Sequence, residues 1–162
     1  MLELLVTIAI VAILAAIAAP SMIQFVRDSR LRGLSGQMIA DLQFARSEAI
    51  RRNREVLVCA VAGCANPGGN WAGGWVVCVD VDNNATCDLS TATNPNPLRS
   101  RAALDSSVTL TGPAAAITFR PDGTQGTVGA VPQLLTLSGT WSAPASYVHS
   151  INNTGVIAVK KQ

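Results

Sequence analysis

The sequence predicts an α+β protein: one long N-terminal helix, apolar in its first half and amphipathic in its second, packed on a β-rich C-terminal head of about seven strands. Three observations carry this prediction. Leu4 to Ala19 is an uncharged run, LLVTIAIVAILAAIAA, lying between Glu3 and Pro20. Beyond it Leu31, Leu34, Met38, Leu42, Ala45 and Ala49 recur at spacings of three and four, the stripe of a helix with one face on a core. From Glu55 onward that period is replaced by short β-branched runs separated by turn residues. A chain of 162 residues has room for one domain of about 110–130 residues plus an appended helix. The expected division is an apolar helix over 1–26, an amphipathic helix over 27–54 and a globular head over 55–162.

The first element is membrane-length. Met1 to Ala19 at ~1.5 Å per residue gives about 28 Å, close to the roughly 30 Å hydrocarbon thickness of a bilayer. A cleaved secretory signal would carry a positive n-region and a shorter apolar stretch, whereas here an acid precedes the run and no Lys or Arg does. A carboxylate close to hydrocarbon costs on the order of a few kcal/mol, so Glu3 requires a cationic partner or a function. The first basic residue, Arg27, lies too far along the same helix. The expected partner is therefore intermolecular, a neighbouring subunit's terminal amine; on a merely interfacial helix Glu3 would point to water instead.

The helix is expected to continue to about Asn53, kinked at Pro20 because proline removes one backbone hydrogen bond and clashes with the preceding turn. Gly33 and Gly36 each weaken it by about 1 kcal/mol relative to Ala. Seven of the twelve basic residues (Arg27, Arg30, Arg32, Arg46, Arg51, Arg52, Arg54) fall within residues 27–54. Asp28 to Arg32 and Glu48 to Arg52 have the i,i+4 spacing of an exposed helix face, with phosphates or lipid headgroups as the competing partners of the stripe.

Candidate strands are Glu55 to Val61, Trp75 to Val81, Ser107 to Leu110, Ala116 to Arg120, Gln133 to Leu137, Ser146 to Ile151 and Val156 to Val159. They are parted by breaker-rich segments such as NPGGN at 66–70, DNNATCD at 82–88 and RPDGTQG at 120–126. The four cysteines, Cys59, Cys64, Cys78 and Cys87, fall within 29 residues of this part. An even number in an extracytoplasmic domain points to disulfides. Three pairings exist; Cys59 with Cys64 and Cys78 with Cys87 is favoured, because each pair brackets a Gly/Asn-rich loop. A four-thiolate zinc site is the alternative, without the closely spaced Cys-x-x-Cys pairs it usually has.

Little here points to catalysis or a cofactor. His149 is the single histidine, and Gly68–Gly69 and Gly73–Gly74 flank Trp71 without the lysine or helix of a phosphate loop. Asp80, Asp82, Asn84 and Asp88 alternate like calcium ligands, but Ala85 stands where such a loop needs Gly and no Glu closes it; a hairpin turn stapled by Cys78 and Cys87 is the better reading. Among the aromatics Trp75 is expected in the core and Trp71, in a Gly-rich loop, at the surface, with Phe119, Trp141 and Tyr147 open to either role.

The opening LELLVTIAIVAILAAIAAPS, followed by ADLQFARSEAIRRNREVLVC, resembles a type IV pilin; with NWAGGWVVCVDVD and ITFRPDG the resemblance narrows to the GspH/FimT-like minor pilins and pseudopilins and covers nearly the whole chain. It implies that Glu3 takes the place of the pilin acid that pairs with the neighbouring subunit's N-terminal amine during assembly. It also implies that Leu4 to Ala19 anchors the subunit in the bacterial inner membrane, head in the periplasm, and then packs among other helices in a filament core. Its partners would be other pilin subunits and the membrane, with no small-molecule substrate. A prepilin leader, its terminal glycine and a methylated phenylalanine would precede Glu3; without them the sequence looks trimmed or started late.

The leading expectation is thus a structural, non-enzymatic subunit that helps initiate or cap a type IV pilus or a type II secretion pseudopilus. The alternative is a FimT-like DNA-binding minor pilin in natural transformation, with Arg51, Arg52, Arg54, Lys160 and Lys161 as the phosphate-contacting candidates. Against it, the family's Gly-Arg motif near the C-terminus is here NNTGVIAVKKQ, with Val156 after Gly155. Lysines supply charge without the planar fork of arginine. A membrane-anchored domain that never polymerises is a third expectation.

Overall fold

The computed structural model describes residues 2–61, 64–65, 68–88, 96–126 and 132–162, with the helical backbone alone at residues 2 and 17–20. A single helix, α1 (Leu2–Arg52), runs 51 residues. It continues through Pro20, whose side chain and the kink expected there lie outside the described residues. Helix α1 ends where Asn53 adopts φ 51°, the left-handed conformation that closes helices, and Arg54 N donates to Ala49 O at 3.3 Å.

Among the described residues nine antiparallel strands follow in two sheets. The five-stranded sheet has the order β3-β2-β1-β5-β6, from β1 (Glu55–Ala60), β2 (Trp75–Asp80), β3 (Arg99–Arg101), β5 (Ile117–Phe119) and β6 (Gln125–Gly126). The four-stranded sheet has the order β4-β7-β8-β9, from β4 (Val108–Thr111), β7 (Gln133–Gly139), β8 (Ser146–Ile151) and β9 (Ile157–Lys161). Seven strands match the expected positions within one or two residues. The additional two, β3 and β6, have no apolar alternation to announce them: RSR and QG are edge strands, held by one neighbour each.

The second half of α1 lies on this β layer. Leu31, Met38, Leu42, Ala45 and Ala49 are buried and share one core with Val56, Val58 and Ala60 of β1, Val77 and Val79 of β2, Ile117 and Phe119 of β5, and Leu135, Leu137, Tyr147 and Ile151 of the other sheet. Leu34 packs at its margin. The intervening residues of β1 and β2, Leu57, Cys59 and Cys78, form a second small cluster on the opposite face of the sheet, together with half-buried Cys64, Val76, Cys87 and Ala116. Strand β1 is thus covered on both faces, by the helix on one and by disulfide-closed loops on the other.

Trp71 is at the junction of the two sheets and is only 1% exposed, contrary to the surface position expected from its Gly-rich loop. The loop is itself hydrogen-bonded as a strand would be: Trp71 N donates to Leu110 O at 2.8 Å and Gly112 N to Gly69 O at 2.8 Å. The indole N–H donates to Pro113 O at 3.0 Å, and the ring lies where a side chain at Gly112 would otherwise be. Gly112, distant in sequence from the Gly-rich loop, therefore makes room for the ring.

Candidate functional site

The most unusual surface of this molecule is the first half of α1. From Leu4 to Val26 the large apolar side chains that are described are 49–70% exposed, because the head does not cover them. The helix is long and apolar enough to cross a membrane. Thr7 Oγ1 donates to Leu4 O at 2.8 Å, so this hydroxyl is satisfied within the helix. Glu3 is exposed at the far tip. Arg27 lies 24 residues on, ~36 Å along the axis at 1.5 Å per residue, beyond any intramolecular pairing. The surface that this stem presents can be satisfied only by lipid or by other chains.

The stem acts on the head through the seam where α1 meets the sheets, and the seam is polar at its centre. Asp41, one turn from Met38 and Ala45 on the core side, is 0% exposed. Its carboxylate accepts from Arg99 Nη1 at 2.8 Å, from Arg101 Nε at 2.7 Å and Nη2 at 3.1 Å, and from Trp75 Nε1 at 3.0 Å. Burial alone would raise its pKa; hydrogen bonds from Arg101, Arg99 and Trp75 outweigh that and hold it below the ordinary carboxylate value. Arg99 also lies 3.9 Å over the Phe44 ring. Edge strand β3 is thereby fastened to the helix as well as to β2.

This cluster was not among the sequence-derived candidates, and Asp41 corrects the picture of a uniformly solvated charge stripe. Its partners are 58 and 60 residues away. One signal was legible: alternation in Arg99-Ser-Arg101 puts both guanidiniums on one face of an extended segment. Glu48 departs from the exposed-face reading too. It is buried, and Arg51 and Arg52 both reach it, Arg51 Nε at 3.0 Å and Arg52 Nε at 2.6 Å, which lowers its pKa.

Higher on the seam Arg46 Nε donates to Gly123 O at 2.8 Å and its Nη2 to Thr154 O at 3.2 Å, clamping the β5–β6 turn and the β8–β9 hairpin to α1. His149 is fully buried between Ser35 Oγ, 2.9 Å from Nε2, and Leu135 O, 3.4 Å from Nδ1. Burial lowers its pKa and keeps the ring neutral. A histidine enclosed in this way ties the Ser35 turn of α1 to strand β7.

The cysteines are bonded Cys59–Cys64 and Cys78–Cys87, with Cα separations of 4.6 and 5.6 Å. The acidic loop gathers Asp80, Asp82 and Asp88 with carboxylate oxygens within 4.8 Å of one another. Those oxygens already accept from the loop itself: Asp80 from Asn84 N at 3.1 Å and Ala85 N at 2.8 Å, Asp82 from Asn84 N at 3.2 Å, and Asp88 from Val81 N. Asn84 Oδ1 accepts from Thr86 N at 2.8 Å. The arrangement is a turn closed on its own backbone beside the Cys78–Cys87 bond, with its carboxylate oxygens engaged as acceptors.

The five candidate phosphate-binding cations do not converge. Arg51 and Arg52 are held by Glu48, and Arg54 Nη1 donates to Val81 O at 3.1 Å, all at the upper end of α1. Lys161 pairs across to Tyr147 and Lys160 to Val148, at the opposite end of the head, near where Ala145 N donates to Asp28.

Comparison with known proteins agrees with this geometry. Residues 35–155 match the family model described as type II transport protein GspH. Two crystal structures of the type IV minor pilin FimU of Pseudomonas aeruginosa superpose on the chain at 21% identity. The P65 form gives a TM-score of 0.57 and covers 80% of this chain and 91% of FimU; the P21 form gives 0.60, with 84% and 92%. No curated protein sequence matches the chain.

Proposed function

This chain belongs to the GspH family and has the α+β pilin fold, and on that premise we propose that it is a non-enzymatic structural subunit that helps initiate or cap a filament of the type IV pilus or type II pseudopilus class. The observation that carries the reading is the stem: the described large apolar side chains between Leu4 and Val26 are left uncovered by the head. Before assembly that surface is embedded in the inner membrane with the disulfide-bonded head on the periplasmic side; after assembly it packs against the stems of neighbouring subunits. Glu3 pairs with a neighbour's N-terminal amine and sets the register between stems. The only histidine is buried, which fits a structural role.

The test is incorporation. Glu3→Ala leaves the head untouched, so the variant is expected to accumulate in the membrane at normal levels while filament initiation and its own recovery in sheared filaments fall at least tenfold. Recovery equal to wild type removes Glu3 from assembly. The DNA-binding alternative draws support from charge alone, and the separation of Lys160 and Lys161 from Arg51, Arg52 and Arg54 favours the structural reading.

A further inference from the structure

We propose that the lower rim of the head is a lipid-surface contact, in which Trp141 and Arg27, with Lys160 and Lys161 beside them, rest on the headgroups of an anionic bilayer while α1 spans it. This rests on the membrane-inserted stage of the function proposed above and adds the head to that stage.

The level of the rim follows from hydrogen bonds and register. Gln24 Nε2 donates to Ala143 O at 3.5 Å and Ala145 N to Asp28 Oδ1 at 3.4 Å, so the 140–145 loop between β7 and β8 lies beside the helix turn at 24–28. Strand β8 begins and β9 ends at this level: Tyr147 is opposite Lys161, and Ser146 and Gln162 exchange backbone hydrogen bonds. Strand β4 also begins here, Val108 opposite Gly139, and Arg30 approaches Asp105 at 3.9 Å. The bottom edge of the four-stranded sheet therefore surrounds the point where α1 leaves the head.

Directly below, Leu4 to Val26 carries no charge, and its only polar side chains are Thr7, Ser21 and Gln24. These 23 residues span ~34 Å at 1.5 Å each, against roughly 30 Å of hydrocarbon. A stem that enters lipid at Leu4 leaves it at Val26, and the rim then lies at headgroup depth.

The rim has the chemistry for that depth. The Arg27 guanidinium is 5.6 Å from the Trp141 ring centroid. Trp141 is half-buried against Gly139, with its indole N–H enclosed and without a hydrogen-bond partner among the described residues. What the ring leaves exposed is therefore apolar edge, and a tryptophan at this level is favoured at the membrane–water boundary. At this level the described cations Arg27, Arg30, Lys160 and Lys161 outnumber the acids Asp28 and Asp105 by two, an excess that complements anionic headgroups.

Trp71 and Trp75 are buried within the head, which leaves Trp141 as the indole that a lipid-borne quencher can reach. The full chain would be reconstituted in phosphatidylcholine vesicles, with or without phosphatidylglycerol, containing lipids spin-labelled near the headgroup or deep in the acyl chain. Quenching is expected to be stronger from the shallow label, to be lost in Trp141→Phe, and to weaken in Lys160→Gln/Lys161→Gln when phosphatidylglycerol is present. A chain that floats with the vesicles but is quenched by neither label overturns the rim contact and leaves the inserted stem standing; a chain that does not float overturns both. If the lysine variant loses binding to duplex DNA while keeping wild-type quenching, the lysines belong to a nucleic-acid site and their part of the proposal fails.

Discussion

Replacing Asp41 by alanine tests the seam that joins stem to head. The substitution removes the acceptor of four hydrogen bonds, from Arg99, Arg101 twice and Trp75. The Trp75 indole N–H, buried with its ring, is left unpaired, at a cost of about 1–3 kcal/mol. Arg99 and Arg101 side chains are 36% and 35% exposed, so they can turn towards water and lose less than fully buried cations would. The expected sum is about 3 kcal/mol, the lower end of the roughly 3–5 kcal/mol for breaking a buried ion pair. For a domain of this size that corresponds to a melting point lower by about 10 °C. Near-UV circular dichroism of the full chain in detergent follows this, since Trp71 and Trp75 are both held in the core. Asp41→Asn, which retains an acceptor of similar volume, should fall between wild type and alanine. A triple variant, Asp41→Leu with Arg99→Met and Arg101→Leu, should regain the part of the loss that comes from the unpaired arginines but not the part that comes from the Trp75 N–H, which Leu cannot accept. An Asp41→Ala head melting within about 2 °C of wild type would refute the reasoning, since a desolvated N–H and two orphaned arginines cannot be that inexpensive.

Two further outcomes follow from the same core. His149 is neutral and buried, with its pKa lowered by desolvation, so the unfolded chain binds a proton that the folded chain does not. Stability is therefore complete above about pH 6.5 and declines as pH falls through that value towards the folded pKa; His149→Gln should flatten this limb in denaturant titrations taken between pH 7.5 and 5. Asp41 acts further down, its lowered pKa making its contribution vanish only as the carboxylate protonates in strong acid. Replacing Cys78 and Cys87 together by serine opens a bridge across nine residues and should cost about 2–3 kcal/mol, read as a lower urea midpoint. The loss should be accompanied by faster proteolysis in the 81–88 turn, which that bond holds against β1 and β2.

Hydrophobic periodicity made the helical scaffold legible, because it is a local property. The membrane-length run beside Glu3, the stripe from Leu31 to Ala49 and the β-branched segments each announce their own secondary structure through spacing alone. Local composition misled at Trp71, where neighbouring glycines suggest an exposed loop but the ring is buried against Gly112, about forty residues further on. Strands β3 and β6 lack the apolar alternation that announces a strand, because each is an edge paired through backbone groups.

By itself the sequence determined that this protein has an apolar helix with an acid at its tip, continued by an amphipathic helix that needs a β-rich head to cover its core stripe. Composition along one dimension is sufficient for that, since water rejects the same residues wherever the chain goes. Only the tertiary structure decided which charges face solvent and which are enclosed. Asp41 meets Arg99 and Arg101 across about sixty residues, Glu48 takes up Arg51 and Arg52, and Lys160 and Lys161 reach the base of the head beside Arg27 and Trp141. Helical spacing announces a local pair such as Glu48 with Arg52, but nothing local announces a partner about sixty residues away. Its fate depends on what the fold brings within about 3 Å and on how much water remains there.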